Sequence, residues 1–411
     1  MKRIDSFLAL NKIYLYLVLF LPIALLISSG VSVITEILII ICFLTTCFYK
    51  KKFDWLKNKN CYLLILIWLS LLLNLLFSQN FNLSYVRNVT FFKNIIFVFS
   101  LIYIFNKEKN FNQIFIFYLI IISVVTFDIF FEYFTKRNII GFESIDPERI
   151  ASFLGKELKI AHYILGFSFI TIGYYFEKYS KKSINYKIFG YFLMITFFTA
   201  LLISGERANT LKGIILISLF ILLLKKEILK YKKMFFILIL LLPIVTYFSS
   251  EKIRNKFSAI HAINKIGLNE YFKETQHGAH FYAAIKIFKN YPIFGVGNKN
   301  FREECSKKEY ENKEYKWTDQ RCSTHPHQIY YEFLAEHGLV GTVTIVFVIF
   351  YILLKSLKVY LKKRNSMHLA SILFIFVQFL PLIPSGSFFT SWGATIFWFN
   401  FSIIIFFNEK A

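Results

Sequence analysis

The stretch RCSTHPHQIYYEFLAEHG, residues 321–338, is the richest in reactive side-chain types, with His325 and His327 flanking Pro326 and Glu336 further on. Thr324 or His325 is suited to cap a helix, Pro326 to its first turn and Gly338 to its end. His327 would then sit beside unpaired N–H groups at the positive end of a helix dipole, which disfavours imidazolium. A neutral imidazole can take a proton from a hydroxyl, which makes His327 the candidate general base and His325 a candidate binding group. The same N–H groups suit an anion. The plain alternative is a pair of surface histidines.

Arginine is the second signal. Lys outnumbers Arg 39 to 9, so a position held by Arg in this Lys-biased chain is informative. Arg87, Arg137, Arg149, Arg207, Arg254, Arg302 and Arg321 fall in segments that the charge pattern places outside a membrane; only Arg3 and Arg364 fall inside. A guanidinium grips phosphate oxygens bidentately, whereas an ammonium is a point charge. The functional reading is a lipid phosphate or diphosphate held at the outer face, and the plain one is chance in a count of nine. Arg207 lies in Ser204-Gly205-Glu206-Arg207-Ala208-Asn209, a minimal link between two spans. Charges at such a mouth are costly unless paired or facing water, so Glu206 is suited to a neighbouring Arg and Arg207 to a phosphate. Arg149 lies in DPERIASFLGKE, residues 146–157, just ahead of a span.

Positioning these groups requires membrane helices. Hydrophobic residues make up 56% of the 411 and charged ones 18%. Apolar runs of about 20 residues recur, which excludes a soluble enzyme, a secreted disulfide scaffold and a disordered chain. The net charge of +23 punctuates the apolar runs instead of clustering, so nucleic acid is not the expected partner. Hydropathy predicts an all-α polytopic membrane protein with twelve spans, near 13–29, 31–49, 61–78, 89–105, 113–134, 159–176, 188–204, 210–224, 234–249, 338–354, 367–384 and 390–407. The first run is read as a retained helix, not a cleaved signal peptide. With both termini inside, the short cytoplasmic connections carry 25 Lys and Arg against 6 in the short outer ones. The expected organisation is nine spans over 1–249, an outer loop with short helices over 250–337, and three spans over 338–411.

A loop of that length commonly carries function. Within it, GAHFYAAIKIFKN (278–290) has helical apolar spacing; it either lies on the membrane or packs on the loop's own small core. Cys305 and Cys322 both fall in the loop, where an oxidising compartment would permit a disulfide; free thiols are the alternative. Cys42, Cys47 and Cys61 read as small apolar residues. Gly295-Val296-Gly297 fits neither a Walker nor a dinucleotide fingerprint. Two histidines without a Cys/His cluster are too few for zinc, and Asp146 with Glu148 lacks a third ligand, so no metal is expected. An outer-side enzyme without nucleotide needs an already activated substrate, for which a lipid-diphosphate sugar is the natural candidate.

Four segments together resemble the O-antigen ligase/polymerase superfamily of bacterial inner membranes, over most of 145–341. Arg149 to Glu157 resembles the family segment R-x-S-G-x-F-x-D-E, with Ala151 and Lys156 as departures. Ser204 to Ala208 resembles its S-G-E-R link followed by Thr or Ala. Pro292 to Gly297 with Asn300-Phe301-Arg302 is similar to its P-x-x-G-x-G-x-x-x-F turn, and His325 to Gly341 to its H-x-H and E-x-G-x-x-G block.

The resemblance implies about a dozen spans, a large periplasmic loop between late helices, and metal-independent, inverting, cofactor-free transfer from an undecaprenyl-diphosphate-linked glycan. His327 would activate the acceptor hydroxyl, Arg207 and Arg149 would hold the diphosphate, and Glu336 would orient the helix or pair with an Arg. Family members carry an Arg ahead of the amphipathic helix; here His277 and His280 stand nearby, and would supply charge only when protonated. Arg302 and Arg321 complete the expected substrate-binding set. The function so implied is an O-antigen ligase in the bacterial inner membrane, passing a glycan to a lipid A–core sugar. The near alternative is an O-antigen polymerase. A transporter or flippase, the alternative of another class, would need paired halves and ionisable groups near the midplane; Glu36, Lys93, Asp128 and Lys212 are its candidates.

Overall fold

The computed structural model describes residues 2–225, 232–249, 254, 263 and 265–410. Most of the expected 225–233 link and most of residues 250–264 at the start of the long loop lie outside them. Among the described residues the chain is helical, without strands, and has one isolated bridge between Arg137 and Glu143. The helices before the loop are α1 (Lys2–Ile27), α2 (Ser29–Lys50), α3 (Lys59–Leu76), α4 (Phe81–Thr90), α5 (Phe92–Phe105), α6 (Glu108–Thr135), α7 (Ile160–Tyr179), α8 (Ile184–Ile203), α9 (Arg207–Leu223) and α10 (Lys232–Ser249). The loop contributes α11 (Leu268–Lys273), α12 (Gln276–Asn290) and α13 (Phe301–Glu304). Helices α14 (Ile329–Lys363), α15 (Ser366–Gln378) and α16 (Ser391–Glu409) complete the chain.

Every one of the twelve hydrophobic runs falls on a helix, and eight helical stretches among the described residues are long and apolar enough to cross a membrane. Those eight leave out α7, α9, α10 and α15. Helix α9 has 17 residues and α15 only 13, so the run expected over 367–384 stops being helical at Gln378. Helix α7 is buried on all sides: every residue from Ile160 to Phe176 except His162 is inside. A helix apolar all round belongs in the centre of a bundle, where small residues let neighbours approach. A Cβ on Gly173 would stand 2.6 Å from the Met367 Cα, which is how closely α15 lies against it.

The connection expected at 79–88 is instead mostly α4, which runs into α5 through Phe91. This helix turns Ser84 and Asn88 towards the large loop: Ser84 Oγ donates to the Asn298 carbonyl (2.8 Å) and Asn298 Nδ2 to Asn88 Oδ1 (3.0 Å). The loop has its own apolar core of Ala283, Ala284, Ile287, Val296, Phe301, Cys305, Tyr310 and Ala335. Of the two readings of the amphipathic segment, packing on the loop's core is therefore the one observed.

A break in α14 joins the loop to the bundle. Gly338 has φ +60° and ψ −163°, so the helix stops and restarts there. The broken ends are filled by the turn 292–297. Val296 and Gly297 N–H donate to the Ala335 and Glu336 carbonyls (3.0 and 2.9 Å), and Leu339 and Val340 N–H to the Pro292 and Ile293 carbonyls (2.8 and 3.1 Å). A Cβ on Gly338 would lie 2.5 Å from the Ile293 carbonyl carbon. Two glycine-containing segments 40 residues apart in sequence are thus halves of one joint. Asn74 on α3 seals it, donating to the Phe294 and Glu336 carbonyls (2.7 and 2.9 Å).

Candidate functional site

The segment 321–328 is an irregular strap held at both ends. Cys322 is disulfide-bonded to Cys305, with their Cα atoms 5.4 Å apart. The Arg321 guanidinium donates to the carbonyls of Cys305 (2.9 Å), Thr318 (3.0 Å), Ser306 (3.0 Å) and Lys307 (3.2 Å). Expected among the substrate ligands, Arg321 instead spends four of its five N–H groups closing the disulfide loop. Downstream, Gln328 and not Thr324 or His325 caps α14, its side chain accepting from the Tyr330 and Tyr331 N–H groups (2.8 and 3.2 Å). His327 therefore precedes the helix, in the left-handed region with φ +59°. A non-glycine residue held there costs energy that the surroundings must supply. Here the Ser385 N–H does part of this, donating to the His327 carbonyl (2.8 Å).

Four imidazoles meet at this strap. Helix α12, capped by Thr275, carries His277 and His280 one turn apart on the same face. Their ring centroids lie 5.4 and 5.2 Å from that of His327, and the His325 ring lies 4.3 Å from it. His280 Nδ1 donates to the Arg321 carbonyl (2.8 Å), leaving Nε2 bare. His325 Nε2 donates to the Ser385 carbonyl (3.3 Å) while Nδ1 accepts from Thr324 Oγ1 (3.0 Å). His327 Nε2 is 3.0 Å from Ser323 Oγ. Among the described residues no group of three or more His, Cys, Asp and Glu side chains is arranged to hold a metal ion.

Burial chiefly drives the His327 pKa down to about 3, with repulsion from His325, His277 and His280 adding to it. His325 falls to about 4, again mainly by burial, with Arg302 among the repelling cations. His277 and His280 shift the same way. His327 is thereby held in the neutral form, and the cause is desolvation with repulsion from the neighbouring imidazoles. The helix dipole expected to do this is already satisfied by Gln328.

Arg207 is exposed at the start of α9, has no carboxylate within ion-pair distance among the described residues, and lies close enough to His277 to help hold it neutral. Arg149 is beside it. Its backbone N–H donates to the Asp146 carbonyl (2.9 Å), and its guanidinium hydrogen-bonds the Leu158 carbonyl and lies 3.8 Å from Glu206. Its Nε is buried without a partner. The Glu206 carboxyl, raised by burial, is restrained by the Ala161 N–H (2.7 Å), Asn209 Nδ2 (2.7 Å) and Arg149. Arg302 donates to the Thr324 carbonyl (3.3 Å) and is otherwise exposed. Arg137 is paired with Glu143 at the surface (2.6 Å). Glu336, offered either an Arg or an orienting role, accepts the Phe301 N–H (3.2 Å) and so fixes the turn carrying Arg302.

Two parts of the site had no signal that periodicity or motif could carry. The 379–390 segment, expected to be the end of a span up to 384 and a short outer link from 385 to 389, supplies Ser385 to both histidines of the strap. It is tied down by Glu332, which accepts from the Phe388 N–H (3.0 Å) and the Ser387 hydroxyl. Ser323, the hydrogen-bond partner of His327, was one polar residue among many in the strap.

The ionisable residues that a transporter would need are differently occupied. Glu36 pairs with Lys93 (2.9 Å), and Asp128 accepts the Ile139 N–H (2.7 Å) and the Ser152 hydroxyl. Lys212 meets only an amide.

No curated protein matches the chain. Residues 192–346, which hold Arg207, all four clustered histidines, the disulfide and the Gly338 joint, match the family described as O-antigen ligase. That match covers Arg207 and the four clustered histidines, with Arg149 and Ser385 outside it, and supports the resemblance to the O-antigen ligase/polymerase superfamily.

Proposed function

We propose that the protein is an O-antigen ligase of the bacterial inner membrane. It transfers a glycan from undecaprenyl diphosphate to a hydroxyl of a lipid A–core sugar at the periplasmic face, without a metal ion or other cofactor. The observation that carries this reading is His277 standing 5.4 Å from the neutral His327 imidazole and within electrostatic reach of Arg207, a guanidinium with no carboxylate partner among the described residues, at the end of the bundle covered by the long loop. The acceptor oxygen attacks the anomeric carbon as the bond from that carbon to the diphosphate oxygen breaks. The bonding pair leaves with the diphosphate, and the hydroxyl proton passes to His327. Configuration at the carbon inverts. Arg207 and Arg149 take the charge that accumulates on the leaving oxygens. A bound diphosphate would raise the pKa of the nearby imidazoles towards the range where a base is effective.

The close rival is a polymerase, with the same donor chemistry and a glycan acceptor. Deleting the gene separates them. Loss of a ligase leaves bare lipid A–core and strands the polymer on its carrier, whereas core bearing a single repeat would mark a polymerase. Transport of lipid-linked glycan by the purified protein in liposomes, without transfer, would overturn both.

A further inference from the structure

Below the 204–206 link, polar side chains continue inward between α7, α9 and α15. Asn209 bridges to Glu206 at the mouth. On α9, further from the mouth, Lys212 is 2% exposed. Its ammonium donates to Gln378 Oε1 at the end of α15 (3.2 Å), and no carboxylate lies within ion-pair distance of it among the described residues. Gln378 is buried as well, and its Nε2 has no partner. The amide cannot be turned to relieve this, because two donors would then face each other across 3.2 Å. His162 borders the same place, its ring against Trp392 and Phe374 and within electrostatic reach of Lys212.

A cation without a counter-ion and an amide with idle N–H groups, both inside a membrane bundle, are each unfavourable. The C-terminal end of α15 offers only about half a negative charge. Beyond the one bond between them, Lys212 and Gln378 present donors for which the described residues supply no acceptor, and the matching ligand is anionic with several oxygens. The pair also adjoins the site. Phe379, next to Gln378, accepts the Tyr330 hydroxyl (2.8 Å), and Tyr330 is three residues from His327. Arg207 and Lys212 share α9, about 7.5 Å apart along its axis and about 140° around it, so Arg207 stands at the exposed mouth while Lys212 faces into the bundle.

We propose that Lys212 and Gln378 form the inner part of the donor site and bind a phosphate of the lipid carrier from within the bundle, while Arg207 holds the diphosphate at the mouth. This rests on the lipid-diphosphate reading above and adds residues to it. The test uses the full-length protein in nanodiscs with farnesyl diphosphate as probe and inorganic diphosphate as control. Wild type should bind farnesyl diphosphate and be thermally stabilised by it, and should bind the inorganic ion more weakly. Lys212→Met should melt no lower than wild type without ligand, bind the probe at least tenfold more weakly and lose the stabilisation; Lys212→Arg should retain much of the binding. Unchanged binding by Lys212→Met would overturn the proposal. So would a lower ligand-free melting temperature or failure to fold in both Lys212→Met and Lys212→Gln, since the ammonium would then be structural. Equal affinity for inorganic diphosphate would remove the lipid carrier as the occupant. If wild type itself binds neither compound, the lipid-diphosphate reading fails first.

Discussion

His327 is held in a left-handed backbone conformation, with its carbonyl tied to Ser385 and its Nε2 against Ser323. Two consequences belong to this scale. The first concerns charge shape: Arg207 is exposed and unpaired among the described residues, so its planar fork is available to phosphate oxygens. Arg207→Ala should lower transfer by about 10²–10³-fold. Arg207→Lys, keeping the charge but losing the fork, should restore only part of this in a glycan-transfer assay at saturating acceptor. The second concerns pH. The His325 and His327 values of about 4 and 3 lie below the ordinary 6.5 of histidine. At these two sites the unfolded chain therefore binds more protons than the folded one between about pH 6.5 and 3, and their contribution to stability falls as pH falls. The two imidazoles thus give the melting temperature of the purified protein a component that is lower at pH 5 than at pH 7. His327→Gln should flatten that slope; an unchanged slope would mean that the imidazoles are not buried together.

Among the elements, the joint between the 292–297 turn and the break at Gly338 couples the loop to the bundle. Gly338→Ala puts a side chain at φ +60°, worth about 1–2 kcal/mol against an L residue, and adds a contact with the Ile293 carbonyl carbon. The expected result is a lower melting temperature and a loop cut more readily by protease, measured on detergent-purified protein. This element also illustrates what could be read from the chain. The glycines at 295, 297 and 338 were visible as motif letters, and Gly338 as a helix end, because glycine marks local backbone requirements. That one segment fills the break in the other was not visible, because it is a long-range hydrogen-bonding pattern with no periodicity. The N-cap was misplaced for a related reason. Thr324 and Pro326 are good local signals, but the disulfide and the Ser385 contacts hold the chain in an irregular strap until Gln328. The α4 helix reads as a connection in the sequence because its apolar pattern is interrupted by Asn82, Ser84, Arg87 and Asn88, of which Ser84 and Asn88 hydrogen-bond to the loop.

For the molecule as a whole, hydropathy located a helix for each of the twelve runs, since membrane burial is a composition effect that a single sequence carries well. It overestimated the length where a helix is short, as at α15, where the expected run to 384 stops at Gln378. The Lys and Arg distribution predicts that both termini are cytoplasmic and that residues 250–337 are periplasmic. Reporter fusions at 49–60 and 177–187 should read as cytoplasmic, and an insertion near Asn312 as periplasmic; the opposite pattern would place donor and site on different sides of the membrane.

The central claim is that His327 removes a proton from the acceptor hydroxyl while guanidinium groups hold the lipid diphosphate. Its most direct test is reconstitution of wild type and His327→Ala into proteoliposomes with undecaprenyl-diphosphate-linked glycan and lipid A–core, following product formation and binding of the lipid-linked donor. Wild type should form the linked product, and the variant should bind the donor with similar affinity but transfer about 10²–10⁴-fold more slowly. Transfer by His327→Ala at the wild-type rate would contradict it.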